Sequence, residues 1–465
     1  MSGGDRKSDS LQRRIVEYAG ALNYDRLTPD AVHAAKVRVI DTLAALAGGF
    51  DGEACEVARR IASRTPTADG ATIYDTAVRT TPEMAAFANG TAARFVEMND
   101  VYHWPGSAGG HPSDVIMPLL GVAEHAGKGG RDLITAVVLA YEIYLRLSDA
   151  IGRSAFDCAN FACIGVTAGS AKLMGLQPTA LAHALSMAAV PNSILRQVRT
   201  GHLSMWKAVT AGHAGRAGVF AALLAREGMD GPYLPFEGRS GWCDHVAGKR
   251  FSLDTLGGSG VSFKIQDTMI KPRPSCATTI SSILAAEKVA PQIRGRAAEV
   301  ERVTVETYER AKAGMGTGEH HWNPDSRETA DHSIPYVVAA ALLDGTVTPR
   351  QFDDAHLRDP ALRALLAKIE VVAIDEFTRD YEKLPVVHRT RVQVLTRAGE
   401  RYTGEAGGAL GDLSQPKSDA EIAAKFLGVS EPFLGAARAK QALDRLWGLE
   451  RLDSVAPVAR DFARN

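Results

Sequence analysis

The sequence predicts a mostly α-helical protein: one large all-helical unit with a smaller α+β unit inserted in its C-terminal half. Three observations carry this. From about residue 10 to 265 the chain is rich in Ala and Leu at helical spacing. Near LGGSGVSFKIQD (256–267) the texture changes to short β-branched runs separated by helices. Beyond about 406 helical periodicity returns, in a tail short enough to pack back on the first unit. The expected boundaries are 1–265 with 407–465 for the helical domain, and 266–406 for the α+β domain.

Each element has a physical reason. In AVHAAKVRVIDTLAALAGG, Val39, Leu43 and Leu46 fall at i, i+4 and i+7, and Ile40 and Ala47 widen that face. Gly48-Gly49 then stops the helix. RDLITAVVLAYEIYLRLSDAIG repeats the pattern through Leu133, Val137, Tyr141 and Tyr144. LSMWKAVTAGHAGRAGVFAALLAREG mixes small and large residues, which predicts a buried helix in close contact with its neighbours. VERVTVETYE alternates through Val303, Val305 and Thr307, AKIEVVAI (367–374) is short and β-branched, and VVHRTRVQVLTRAGERYTGE turns at Ala398-Gly399 into a hairpin. ISSILAAEKVA and IPYVVAAALLDG supply helices between them. Ser418 with Glu421 makes a capping box at the start of the returning tail.

The totals set limits. A chain of 465 residues holds two or three domains at roughly 150 residues each. Apolar residues at 45% and charged residues at 23% suit a soluble globular protein. A net charge of −1 offers no basic field for nucleic acid, so an anionic ligand must be met by local cations. Cys55, Cys158, Cys163, Cys243 and Cys276 are odd in number and contain no CxxC pair, which predicts reduced, mostly buried thiols in a cytoplasmic protein. The polar start MSGGDRKSDSLQRR has no apolar stretch behind it, so no signal peptide is expected. No uncharged apolar run reaches about 18 residues, so no membrane span is expected either.

Four stretches concentrate groups that can do chemistry. NDVYHWPGSAGGHPSD (99–114) gathers Asp100, Tyr102, His103 and His111 in a Gly- and Pro-rich loop. Ser113 or Asp114 is the expected N-cap of the apolar helix that follows, which sets His111 before a helix end that favours anions. In LRQVRTGHLSMWKAVTAGHAGRAG, Lys207 opens a helix expected to be buried, where desolvation lowers an ammonium pKa and suits proton transfer. Arg196, Arg199 and His202 precede it. In MIKPRPSCATTISSI, Lys271 and Arg273 flank two prolines before a helix expected to start near Ser275. In NPDSRETADHSIPYVVAAALLDG, Asp331-His332-Ser333 opens a helix and reads chiefly as an N-cap cluster. GGSGVS (257–262) lacks the strand, Lys and spacing of a P-loop, no GxGxxG opens a helix after a strand, and GEHHW has poor metal spacing. Neither a nucleotide cofactor nor a metal is expected.

Together, KVRVIDTLAALAGG, FANGTAARFVEMND with GGHPSDVIMPLL, MWKAVTAGHAGRAG, KPRPSC and RETADHSIPYVVAAALLDG resemble the MmgE/PrpD family, in its order and over most of the chain. That family includes 2-methylcitrate dehydratase, cis-aconitate decarboxylase and iminodisuccinate epimerase. The resemblance implies an all-helical domain built from both chain ends, an α+β lid, a homodimer, and a site between the domains that uses no metal or organic cofactor. It places Asp100, His111, Lys207 and Lys271 at family active-site positions. The sequence also departs from the family pattern. Glu97 stands for an Asp and Val101 for a Thr, and two family His positions fall near Cys158 and Ile280.

The reaction this implies is dehydration of a 2-methylcitrate-like hydroxy acid. Lys207, Lys271 and Arg199 would hold its carboxylates, with the helix starts near His111 and Ser275. His111 would work opposite Lys207 or the Asp100/Tyr102/His103 group, acid and base being unassigned. Tyr102, His103, Arg199, His202 and Ser275 are the substrate-binding candidates. Epimerisation, isomerisation or decarboxylation of a related carboxylate is the alternative, and a non-catalytic carboxylate binder is an alternative of another class. No nucleic acid and no membrane are expected as partners.

Overall fold

The computed structural model describes residues 9–464; residues 1–8, most of the polar N-terminal stretch, lie outside the described residues, as does Asn465. Helix α1 (Ser10–Ala21) starts where the Asp9 side chain accepts the Gln12 N–H. Helix α2 (Pro29–Gly48) has Thr28 as N-cap and Pro29 at its first position, buries Val39, Ile40, Leu43 and Leu46, and stops at Gly49. Helix α3 (Glu53–Ala62) leads into a small hairpin, β1 (Pro66–Thr72) with β2 (Arg79–Thr80), that periodicity did not predict. Its first strand, PTADGAT, has no alternation to read, and its pairing shifts register between Pro66 and Ala71. Helices α4 (Pro82–Phe95), α5 (Ile116–His125), α6 (Gly130–Ile151), α7 (Ala159–Leu173), α8 (Pro178–Ala189) and α9 (Trp206–Arg226) complete this part.

Helices α4 and α9 meet most closely, and glycines allow it. A Cβ on Gly90 would lie 3.0 Å from the Gly212 Cα, and one on Gly212 would lie 2.3 Å from the Phe87 carbonyl oxygen. The small residues read along α9 therefore have a definite use: they let its backbone touch α4. By length and composition α9 could cross a membrane, yet 72% of its apolar window is buried inside the protein.

The second core is built on a mixed four-stranded sheet. Strands β3 (Val300–Thr307), β4 (Ile369–Ala373), β5 (Thr390–Thr396) and β6 (Arg401–Ala406) lie in the order β4-β3-β5-β6. β3 is parallel to β4 and antiparallel to β5, and β5–β6 is the hairpin. Val303 and Val305 pair with Val394 and Val392, so one face of the pleat carries the apolar side chains. Helices α10 (Ile280–Ile293) and α12 (Ile334–Asp344) pack together beside this sheet, and α11 (Glu309–Met315) follows β3. The chain then returns: α13 (Asp419–Leu434), with the predicted Ser418/Glu421 capping box, packs on α2, and α14 (Ala436–Trp447) packs on α13. Ile422, Phe426, Leu443 and Leu446 join the same apolar cluster as Leu11, Leu43 and Val137.

Two helix starts differ from expectation. Pro112–Val115 forms a 3-10 turn ahead of α5, and neither Ser113 nor Asp114 caps that helix. The carboxylate of Asp100 takes the Ser113 N–H instead, at 3.0 Å. Likewise Ala277–Thr279 is a 3-10 turn, and α10 begins at Ile280 rather than near Ser275. Pro112 opens the first of these turns, and Pro274 stands three residues before the second. The two parts are joined by a backbone bridge: Val101 and Met269 exchange N–H···O bonds of 2.9 and 2.8 Å.

Candidate active site

The bridge and the end of α4 bring the loop 97–114 against the segment 269–276. Glu97 follows α4 by two residues and adopts φ 55°, a left-handed conformation that disfavours a side chain with a Cβ. This directs its carboxylate into a buried cluster of cations. Arg94 Nη1 lies 2.5 Å from Oε2, Lys271 Nζ 2.8 Å from Oε1, and Lys207 Nζ 3.2 Å from Oε2. Burial alone raises a carboxyl pKa, but Arg94, then Lys271 and Lys207, hold Glu97 well below the usual range.

Lys207, at the first turn of α9, also donates to both oxygens of Asp331, at 2.7 and 2.8 Å. Asp331 in turn faces His332 Nδ1 at 2.5 Å. Burial and the Lys207 charge lower the His332 pKa, but Cys276 and Asp331 outweigh them and raise it. Burial pushes the Cys276 thiol up, yet the neighbouring His332 brings it down to about 7. The other four thiols go the opposite way: burial lifts Cys55, Cys163 and Cys243 to about 12 and Cys158 to about 11.

His111 stands on the far side of Glu97. Its Nδ1 lies 2.9 Å from the Asp100 carbonyl oxygen, an acceptor, so Nδ1 carries the hydrogen and Nε2 keeps its lone pair. Nε2 is 3.5 Å from Glu97 Oε1. Burial, then the Arg94 charge, pushes the His111 pKa well below its ordinary value, so the ring is neutral at pH 7. Gly110 makes this placement possible: it has φ 126°, and a Cβ there would lie 2.1 Å from the Tyr144 hydroxyl and 2.8 Å from Cys158 Sγ. Tyr144 then accepts the His111 N–H at 3.1 Å.

The structure therefore brings together His111, Lys207 and Lys271 from three separate stretches. The remaining candidates sit as follows. Asp100 is fully buried and receives Ser113 N–H and the Tyr141 hydroxyl, so it braces the loop behind His111. Ser275 donates to the Asp331 carbonyl at 2.7 Å while its own carbonyl accepts from Lys271 at 3.1 Å, which positions both. Arg199 pairs with Asp157 at 2.8 Å and keeps a buried Nη2 without a partner among the described residues. Tyr102 is committed to Asp149 and Lys264, outside the cluster. His202 is at the surface, 63% exposed and 3.5 Å from Asp325. His103 lies 6.1 Å from the ring of His388, towards the α+β core.

Sequence reasoning missed the centre of this arrangement. In the sequence Glu97 stands out only as a departure from the family pattern, Arg94 not at all, Asp331 as part of a cap cluster, and Cys276 as one of five reduced, mostly buried thiols. A carboxylate between Arg94 (i−3) and the loop was the available signal for Glu97; nothing local marked Asp331 as the partner of Lys207, 124 residues away. Oxygens of Glu97 and Asp331 and a His332 nitrogen lie within 4.8 Å of one another, a spacing that can hold a metal ion, although both carboxylates already face cations. A cleft of about 760 Å³ lies between His33, Arg38, Val386 and Lys417 and reaches towards this region at His103, Met269 and Ile270.

Residues 13–254 match the family model of the MmgE/PrpD N-terminal domain, and residues 274–449 that of the MmgE/PrpD C-terminal domain. The chain is 28% identical to the 2-methylcitrate dehydratase of Salmonella typhimurium over 387 residues, 79% of this chain and 78% of that one. It is 28% identical to the 2-methylcitrate dehydratase of Cupriavidus necator over 393 residues, 80% of this chain and 79% of that one. It is also 25% identical to the cis-aconitate decarboxylase of Homo sapiens over 471 aligned residues, 96% of this chain and 93% of that one.

Proposed function

The chain belongs to the MmgE/PrpD family, and from that premise we propose that it is a carboxylate lyase, a hydro-lyase that dehydrates a 2-methylcitrate-like hydroxy acid. One observation carries the assignment of roles. Two histidines flank the Glu97–Lys207–Asp331 chain of ion pairs, and their surroundings push their pKa values apart: His111 down, His332 up. Groups separated in this way serve as base and acid at one pH.

His111 Nε2 takes the proton α to a carboxylate. The negative charge that develops on that carboxylate is met by Lys271, Lys207 and the free Nη2 of Arg199. Protonated His332 then gives its proton to the departing hydroxyl, which leaves as water, and the C–H electron pair becomes the new C=C bond. Each proton transfer is worth about 10²–10⁴ in rate. The side chains of Glu97, Lys271 and Asp331 are at most 1% exposed, so substrate reaches them only when the α+β part moves off the helical part.

The test is incubation of the purified protein with 2-methylcitrate, citrate, cis-aconitate and iminodisuccinate in D₂O, followed by proton NMR. Loss of water from 2-methylcitrate to an alkene is the expected result. Loss of CO₂ from cis-aconitate, or deuterium exchange without an alkene product, would move the assignment to decarboxylation or epimerisation. No change with any of the four would overturn the lyase reading.

A further inference from the structure

A further contact joins the two parts close to the site, and it is made by a side chain with no part in the proton transfers. Arg327 opens the short helical turn Arg327–Ala330 in the α+β part. Its guanidinium lies over the ring of Phe95, the last residue of α4, at 4.7 Å, and over the ring of Phe352 at 5.3 Å. Phe352 is buried and stacks in turn on Tyr336 of α12, with ring centres 5.9 Å apart and planes at 28°. At the other end, a Cβ on Gly52 would lie 2.6 Å from the Phe95 ring, so the start of α3 holds that ring in place. A ring, a guanidinium and two more rings thus run from the helical core into the α+β core.

Hydrogen bonds do not hold Arg327 there. Its Nη1 reaches the Pro349 carbonyl at 3.4 Å, while Nε and Nη2 are buried with no hydrogen-bond partner among the described residues. An arginine kept for recognition of a carboxylate fills that edge. One kept for its flat, weakly hydrated cation stacks on aromatic faces, and removal from water strengthens the attraction. Separation of the two parts would return Nε and Nη2 to water, so the stack holds the parts together without locking them.

Its place in the chain gives the stack a consequence for the site. Phe95 precedes Glu97 by two residues, and the Arg327 carbonyl accepts the Asp331 N–H at 3.0 Å. A shift of the stack therefore moves both carboxylates that share Lys207. We propose that Arg327 is a positioning residue: clamped between Phe95 and Phe352, it closes the α+β part on the helical part and sets the separation of Glu97 and Asp331 around Lys207. The clamp rests on the reading that substrate enters when the two parts separate, whichever reaction follows.

The experiment is hydrogen exchange, read by mass spectrometry, on the full chain without ligand. Arg327→Lys keeps the charge but loses the plane, and Phe95→Leu removes the ring on the other side of the contact. In either variant, peptides covering 97–104 and 328–336 should exchange about tenfold faster, while those covering β3, β5 and α6 keep their wild-type rates. Both changes break one contact, so the two together should open the seam no further than either alone. Unchanged exchange at the seam in both variants would overturn the clamp. So would faster exchange in β3, β5 and α6 as well, the mark of a residue that only stabilises the fold. Tricarballylate (propane-1,2,3-tricarboxylate) has no hydroxyl to expel, so its binding is read apart from turnover. Arg327→Lys should weaken it by about tenfold in calorimetric titration, because less of the protein is closed. Equal affinity in wild type and variant would overturn the link between clamp and site. No dehydration of any substrate, with seam exchange still dependent on Arg327, would sink the hydro-lyase reading and leave the clamp standing.

Discussion

At Glu97 one carboxylate faces Arg94, Lys207 and Lys271 in a site with almost no exposure. Removing the charge leaves three buried cations short of a partner. Glu97→Gln should therefore lower stability by about 3–5 kcal/mol in denaturant titration, and Glu97→Asp should cost less because the charge remains. His111 is a different case, since its imidazole makes one hydrogen bond, to the Asp100 carbonyl, and otherwise only faces Glu97 Oε1 at 3.5 Å. His111→Asn should lower kcat by about 10²–10⁴ with little change in melting temperature. The pH dependence follows from the opposite shifts. His111 must be neutral, so activity rises with pH through its depressed pKa. His332 must be protonated, so activity falls as pH passes its raised one. The expected kcat profile is a bell spanning neutral pH, and His332→Gln should remove its high-pH limb.

Helices α4 and α9 deliver Glu97 and Lys207, so their spacing sets the geometry of the ion pairs. Gly212 is where that spacing is smallest. Gly212→Ala should cost about 1–3 kcal/mol through overpacking and lower kcat, because the two helices must separate. Gly20→Ala is the control: nothing lies within 4 Å of its added Cβ, and it should be neutral or stabilising by about 0.5–1 kcal/mol. Circular dichroism melts and kcat on the same preparations decide both. The helical faces of α2 and α6 and the alternation of β3 and β5 were legible, because core positions recur every 3.6 or 2 residues. The β1–β2 hairpin was not, since the stretch has no period and pairs irregularly. The two displaced helix starts were missed because the hydroxyls that local capping would have used are engaged elsewhere: Ser113 Oγ accepts from Asn99, and Ser275 Oγ donates to the Asp331 carbonyl.

Across the whole molecule, Lys207 of the helical part and Asp331 of the α+β part hold the two cores together at the site. A double-mutant cycle of Lys207→Ala and Asp331→Ala should give a coupling of about 0.5–3 kcal/mol; additive effects would show that the pair does not join the two parts. A bound carboxylate that engages both parts should raise the melting temperature, since binding at 100 times Kd stabilises by about 2.7 kcal/mol. Tricarballylate supplies that test without turnover.

The sequence by itself determined the class of the fold, the return of the tail to the first unit, and the stretches that hold His111, Lys207 and Lys271. These are properties of periodicity, composition and short motifs, which act within a few turns of chain. Only the tertiary structure decided that Glu97 is the common partner of Arg94, Lys207 and Lys271, that Asp331 pairs with Lys207, and that His111 and His332 differ in proton affinity. Burial and charge set those properties, and both depend in part on groups such as Lys207 and Asp331, 124 residues apart, that meet only when the two cores pack.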